Sequence, residues 1–197
     1  LGRTAAIAGE VLVRGKSWQD WSEGGSHGTA REDRYGARHA VQFVSQDPLG
    51  SFDPRYTDED VIAEPGRGVL GPQELSRRVA EVMELTHLEP ELRAVMPRSL
   101  SGGQRQRASI ARALVLKPHV LICDEPVSAL DVSIQAQILD LLQELNARTA
   151  TSLVFISHDL GVVNHLVDDV VVMQHGRIVE QGPIDDVFSN PRAAYTR

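Results

Sequence analysis

Positive charge, cysteine and long apolar runs are what this sequence has little of. Its 197 residues hold a single cysteine, Cys123, so no internal disulfide forms and a reducing compartment fits. Lysine and arginine number 20 against 27 aspartates and glutamates, a net charge of −7. Domains whose main partner is nucleic acid are usually basic, so the balance argues against that class. No apolar run approaches the ~20 residues that cross a bilayer, and no secretory-signal pattern is read at the start. If the protein serves a membrane, it does so from outside the bilayer. Internal repeats, low-complexity tracts and heptad runs are also missing. Hydrophobic residues make up 42% of the chain, enough for a packed core. The length suits one substantial domain, or one domain with a small insert.

The most informative segment present is Ser99-Leu100-Ser101-Gly102-Gly103-Gln104-Arg105-Gln106-Arg107. A capping box, Ser101-x-x-Gln104, accounts for the serine and the glutamine, which satisfy orphan backbone donors at a helix start. It does not account for Gly102 and Gly103, since each glycine costs a helix roughly 1 kcal/mol relative to alanine. Nor does it account for Arg105 and Arg107, because cations near a helix N-terminus oppose the macrodipole. A bound anion accounts for both features. Glycine lets a ligand approach the backbone closely, and free N–H groups at a helix start bind phosphate. Taken alone, the segment leaves a capped structural helix and a phosphate site equally open.

Three stretches differ in texture. Residues 1–47 read as a partial N-terminal portion of a nucleotide-binding core. Leu1 to Gly9 looks like a helix end, Glu10 to Arg14 like a strand, and Gly15-Lys16 like a hairpin turn. Residues 18–38 read as a loop or weak helix, and Val41 to Ser45 as a short strand. Residues 48–98 are broken by proline and glycine around one clear helix, Glu74 to Leu88, and read as a helical insert. From residue 99 to 197 the pattern becomes regular α/β. A helix is expected over Gln104 to Leu116 and an amphipathic one over Ser133 to Asn146, its stripe being Ile134, Ile138, Leu141, Leu142 and Leu145. Val120 to Cys123 and Leu153 to Ile156 read as buried parallel strands. Asp169 to Met173 and Arg177 to Glu180 read as a hairpin around Gln174-His175-Gly176.

The chemistry gathers at strand ends. Asp124 and Glu125 follow the first apolar strand, and His158 follows the second. The separation of 34 positions from Asp124 to His158 encloses one helix, the length of a strand–helix–strand crossover, which makes the strands parallel. Both sets of side chains then emerge at the carboxyl edge, where open α/β sheets bind ligands. Asp124 suits Mg²⁺, which takes one or two carboxylates plus waters and phosphates. Glu125 suits a base that orients or deprotonates water. The competing reading is a carboxylate pair capping the turn at Pro126. His158 alone reads as a structural histidine, and its place opposite two carboxylates favours function. Gln46 ends a strand before Asp47-Pro48, where it reaches a metal or a water or simply forms the turn. Cys123 reads as a core residue.

A nucleotide site of this type needs a loop of the form G-x-x-x-x-G-K-[ST] between a strand and a helix. The one candidate, Gly9 to Ser17, fails on spacing, because the position five before Gly15 is Glu10. It also fails on context, because Val11-Leu12-Val13 is strand material. The segment reads as a β-hairpin, and these residues carry no phosphate loop.

Together these residues resemble the ATP-binding subunits of ABC transporters. Leu100-Ser101-Gly102-Gly103-Gln104 is identical to the family's signature motif. Val120 to Glu125 resembles the Walker B strand with its catalytic glutamate, and Ser128-Ala129-Leu130-Asp131 the D-loop. His158 is similar to the H-loop histidine and Gln46 to the Q-loop glutamine, all in the family's order. Gln46 to Arg55 and Glu125 to Gln137 further resemble the oligopeptide/dipeptide/nickel importer branch. So does the C-terminal Asn190 to Arg197, with Ala194 in place of a proline.

The resemblance implies a P-loop NTPase-type α/β core with a mainly parallel sheet and an inserted helical subdomain. It implies ATP and Mg²⁺ as cofactors and hydrolysis of ATP to drive transport, here peptide import. Glu125 would activate water and His158 contact the γ-phosphate. Ser101, Gly102, Gly103, Gln104, Asp131 and Gln46 would contact ATP, with Asp124 and Gln46 at the metal. Two subunits would dimerise head to tail around two ATP molecules at the cytoplasmic face of the membrane. Transmembrane permease subunits, and indirectly an extracytoplasmic solute-binding protein, would be the partners. The family's Walker A loop lies before the first residue here, so the chain is expected to be truncated at both ends or to come from an incomplete frame. The alternative is a non-catalytic partner that offers only its signature to an ATP held elsewhere. In either case these residues alone are expected to be inactive.

Overall fold

The structure is a computed structural model. It describes residues 39–164 and 166–197, together with the backbone of two short strands, β1 (Leu12–Val13) and β2 (Lys16–Ser17). The expected helix end before Gly9 and the loop over 18–38 lie outside the described residues. β1 and β2 pair antiparallel, Leu12 with Ser17 and Val13 with Lys16. Lys16 therefore belongs to a strand and not to the turn. A phosphate loop would put Lys and Ser at the start of a helix, so the strand pairing agrees with the hairpin reading.

The central sheet is parallel, in the order β3 (Val41–Val44), β4 (Val120–Asp124), β5 (Ser152–Ile156). Its register sets Val44 beside Cys123 and Phe155, and Phe43 beside Ile122 and Val154. Side chains alternate across a strand, so these two rows lie on opposite faces. The first row joins the core: Val44, Leu121 and Cys123 are buried with Ile138, Leu141, Leu142 and Leu145. The second does not, since Phe43, Val154 and Ile156 are exposed. The sequence suggests strands buried on both faces, and for β5 that expectation is wrong. An apolar run is ambiguous between one covered face and two, and the described helices cover one.

The helix α3 (Gly102–Leu114) is the hub. It packs against α1 (Asp58–Ala63), α2 (Pro72–Leu85), β3 and α4 (Val132–Arg148). The signature helix thus sits as closely on the helical segment before it as on the sheet. Buried Arg78 on α2 ties the two together. Its guanidinium donates to the carbonyls of Leu114 at 2.7 Å and Val115 at 3.0 Å, which the helix end leaves without intrahelical partners. Glu81 balances the charge at 2.7 Å.

Several boundaries shift for local reasons. α2 stops at Leu85 instead of Leu88 because the Thr86 hydroxyl donates back to the Val82 carbonyl and His87 turns left-handed, φ 54°. α3 starts at Gly102 and stops at Leu114, with Lys117 left-handed beyond it. α1 is missed by periodicity because it is only six residues long. Its Thr57-x-x-Asp60 capping box was the legible signal. After β5 come α5 (Leu160–Val163), β6 (Asp169–Gln174), β7 (Arg177–Pro183) and α6 (Ile184–Ser189). β6 and β7 form an antiparallel hairpin whose two-residue turn, His175-Gly176, has positive φ at both positions, as a type I′ turn requires. Gln174 lies in the strand opposite Arg177, outside the turn.

Candidate functional site

Glu125 leaves β4 with a left-handed backbone, φ 44°. Its N–H donates to the Ile156 carbonyl at the end of β5, 2.9 Å away. The parallel pairing therefore delivers Glu125 and His158 to the same edge, as the spacing predicts. There the Nδ1 of His158 lies 2.9 Å from one Glu125 carboxylate oxygen. The Gln46 side-chain amide donates to the other at 2.9 Å, and to the Ser128 hydroxyl at 3.2 Å. Both carboxylate oxygens are thus engaged by side chains from two other strand ends. The hydrogen bond and charge of Glu125, with Asp159 adding less, raise the His158 pKa above its usual value. The histidine is largely exposed, so the pair is open to solvent and to a substrate. Ser128 also donates to the Glu125 carbonyl at 3.0 Å, and nothing in its sequence position marked it as the link between Gln46 and Glu125.

Asp124 ends β4, half-buried, in the row with Ile156. That row lies on the open face of the sheet. Its carboxylate carries no hydrogen bond or ion pair to a described residue. Gln46 keeps its amide oxygen free while its nitrogen is used. Both are hard oxygen donors of the kind Mg²⁺ takes, with waters and phosphate oxygens in its remaining positions, and neither has a partner among the described residues. Among the described residues no group of three or more His, Cys, Asp or Glu converges on a metal position.

At the signature turn, the capped-helix reading holds for the side chains. The Ser101 hydroxyl accepts from the Gln104 N–H at 3.2 Å and the Gln104 side chain accepts from the Ser101 N–H at 2.8 Å. The glycines have a packing reason that sequence reasoning missed. A Cβ on Gly103 would stand 2.8 Å from Ile134 Cγ2, and one on Gly102 would stand 3.1 Å from Leu130 Cδ2. The first turn of α3 is thus pressed against the D-loop and the start of α4. Arg107 has a structural partner as well, the Thr86 carbonyl at 3.0 Å. Arg105 has no hydrogen bond or ion pair to a described residue, so it remains the cation unexplained by packing. No hydrogen bond joins Ser101, Gly102, Gly103 or Gln104 to the Glu125–His158 group, so the chain presents these as two separate sets.

Gly103→Ala is expected to cost about 1–2 kcal/mol through overpacking. A double-mutant cycle with Ile134→Ala, read by chemical denaturation, should recover part of that loss; strictly additive losses would mean the contact is relieved by a helix shift.

Asp131 caps α4 and takes hydrogen bonds from the Ile134 N–H at 3.0 Å and the Ser133 hydroxyl at 2.8 Å, which hold its pKa down. Arg112, near the other end of α3, donates to the Ser51 carbonyl and hydroxyl, both at 3.0 Å, and stacks over Phe52. It fastens the segment following Gln46 to the signature helix. Sequence reading passed over it because an arginine in an amphipathic helix ordinarily faces water.

A parallel sheet with a carboxylate, an imidazole and an amide converging at its carboxyl edge is an open α/β domain with a polar cluster where such sheets bind ligands. The comparisons name the family. The model of the ABC transporter family matches residues 1–128, and the chain belongs to that family. It is 48% identical over 201 residues to the peptidoglycan transport ATP-binding protein YejF of Agrobacterium fabrum, covering 100% of this chain and 35% of that protein. It is 50% identical over 163 residues to the oligopeptide transport ATP-binding protein OppF of Escherichia coli, covering 81% and 49%. Identity to the di/tripeptide transport ATP-binding protein DppF of Pseudomonas aeruginosa is 42% over 212 residues, covering 100% and 66%. The chain thus spans about a third to two thirds of the length of these relatives.

Among solved structures, cbiO1 of Clostridium perfringens, part of the ABC transporter complex cbiONQ, superposes with a TM-score of 0.79 at 27% identity, over 96% of this chain and 71% of that one. The ATP-binding cassette MJ0796, in a dimeric post-hydrolysis state with ADP and Pi, gives 0.72 at 26%, over 90% and 74%. The α/β fold of ABC ATPases is therefore this chain's fold. Among the described residues no helix is long and apolar enough to cross a membrane.

Proposed function

We propose that this chain is the ATP-binding, ATP-hydrolysing component of an ABC importer for peptides. The observation that carries the reading is the Glu125 carboxylate held between Gln46 and His158 at the carboxyl edge of a parallel sheet. The names of the relatives supply the substrate class. In the proposed step Glu125 takes a proton from a water whose oxygen bonds to the γ-phosphorus as the bond to ADP breaks. Each Glu125 oxygen has one hydrogen-bonding partner, which leaves lone pairs on the carboxylate to accept that proton. His158 is the exposed partner and the one placed to turn toward the γ-phosphate. Asp124 and the Gln46 amide oxygen would hold Mg²⁺, which would supply charge neutralisation at the phosphates.

Gly102 and Gly103 offer the N–H groups of a helix start to a phosphate, while the Ser101 and Gln104 N–H groups are taken by their own capping box and these two residues would meet the phosphate through their side chains, with Asp131 at the D-loop. A second ATP-binding subunit, in a homo- or heterodimer, would hold that phosphate. The helical segment 48–98 and the Gln46 region would meet transmembrane permease subunits at the cytoplasmic face, with an extracytoplasmic solute-binding protein delivering the peptide. No nucleic acid enters this scheme.

A second reading is that the signature turn of this chain acts in trans, its Gly102 and Gly103 N–H groups meeting the phosphate of an ATP held by another subunit. The test is complementation. The purified chain alone should give no ATP turnover. Mixed with a subunit that keeps its phosphate loop but has a disabled signature, it should restore turnover, and Gly102→Asp should abolish the rescue. Glu125-dependent hydrolysis by the chain alone would overturn the half-site reading, and absence of rescue would overturn the signature role.

A further inference from the structure

The loop from Glu125 to Leu130 joins the carboxylate to the D-loop aspartate, and its conformation is unusual. A non-glycine residue in the left-handed region is strained and persists only where its surroundings over-determine it. Glu125 is such a residue. Its own contacts are the Ile156 carbonyl on one side and, on the other, Ser128, whose N–H and hydroxyl both donate to the Glu125 carbonyl at 3.2 and 3.0 Å. The next turn is closed by the Leu130 N–H on the Val127 carbonyl, 3.1 Å.

One side chain from the body of α4 reaches back into this loop. The Gln135 amide nitrogen donates to the Val127 carbonyl and to the Leu130 carbonyl, both at 3.0 Å. This is not ordinary helix capping. The cap of α4 is Asp131, and Gln135 is the fourth helical residue, reaching past the cap to the two carbonyls that precede it. Val127 is buried in the core, so the amide grips a loop already pinned at its middle. Once the loop is gripped, Ser128 is presented to Gln46 and Glu125 to both Gln46 and His158.

We propose that Gln135 is a positioning residue for Glu125, fixing through the Val127 and Leu130 carbonyls the loop that holds the carboxylate between Gln46 and His158. The proposal rests on the hydrolytic reading of Glu125 above. It predicts that the requirement at position 135 is for a hydrogen-bond donor of that reach, more than for size.

The test reads the carboxylate through its neighbour. In the full 197-residue chain the His158 imidazole is titrated by NMR, its resonance assigned by loss in His158→Gln. Glu125→Gln defines the His158 pKa without the carboxylate, Asp159 still being present. Gln135→Met, which is unbranched and uncharged but has no donor, should bring His158 to the Glu125→Gln value. Gln135→Glu, isosteric without a donor, should do the same, and Gln135→Lys, which keeps a donor, should retain the wild-type value. Circular dichroism and a melting curve show that each variant is folded. A wild-type His158 titration in folded Gln135→Met overturns the proposal, as does an unmoved titration in Glu125→Gln.

In the assembled, ATP-hydrolysing transporter, Gln135→Met should lower kcat about tenfold, with KM for ATP within about twofold. Equal loss in Gln135→Lys would overturn the donor requirement. If Glu125→Gln leaves turnover intact, the hydrolytic reading fails, while the titration still decides whether Gln135 sets the carboxylate's position.

Discussion

Replacing Glu125 with glutamine lowers ATP turnover by at least about 10²-fold, the usual contribution of a positioned general base, while ATP binding survives. The substitution preserves size and keeps one oxygen to accept from Gln46 or His158, so the loop is not expected to unfold. What it removes is the basic oxygen proposed to take the proton from water. Steady-state hydrolysis in the assembled transporter measures the first quantity and equilibrium nucleotide binding the second. An undiminished rate would take Glu125 out of the base role. The same substitution also removes the charge that raises His158, so the histidine should titrate nearer its ordinary value of 6.5. In wild type the folded-state pKa of His158 is the raised one. The stabilising ionic pair is therefore present at low pH and fades as pH rises through that value.

Asp58→Asn makes the chain more stable at pH 8 by on the order of 2–4 kcal/mol. Asp58 lies on α1, 0% exposed, and neither carboxylate oxygen has a hydrogen-bond partner. Burial pushes its pKa from 3.8 up to about 7. The unfolded chain releases this proton near pH 4 and the folded chain holds it to about pH 7, so the folded state binds more protons in between. Stability due to this residue therefore falls as pH rises across that window and is fully lost above it. Asparagine does not titrate, so the difference between variant and wild type should be absent below pH 4 and level off above pH 7. Carboxylates held low by hydrogen bonds, such as Asp53, Asp60 and Glu180, change stability in the opposite sense. They are common to both proteins and cancel in the difference. Denaturant titrations at pH 4.5 and pH 8 measure it, and a gap of equal size at both pH values would refute the assignment to Asp58.

Much of the site was legible because its chemistry sits at element ends. An apolar strand, two carboxylates, a crossover-length helix and a second strand ending at His158 dictate parallel pairing, and with it a shared edge. The Ser101–Gln104 capping box was equally legible, since it is a local pattern of three-residue reach. The glycines were misread in part. A costly residue at a helix start suggested a ligand, whereas Gly103 also answers to a methyl of Ile134 on another helix. Burial of β5 was overstated, because apolar content alone does not say how many faces are covered. Arg78, Arg112 and Gln135 gave no signal, as each is a polar residue on a helix whose partner lies in a different element.

By itself the sequence determined the longer helices and the strands, the parallel crossover and the set of chemically able residues, because these follow from periodicities and spacings within about one supersecondary unit; the short helices α1, α5 and α6 were not read. Only the tertiary structure decided that Gln46 and His158 share the two oxygens of Glu125. Those contacts span 79 and 33 positions of the chain. It also decided that Asp58 is buried without a hydrogen-bond partner and that, among the described residues, Phe43, Val154 and Ile156 of the sheet are exposed. Burial and long-range hydrogen bonds depend on which surfaces meet, and no local pattern of residue types carries that information.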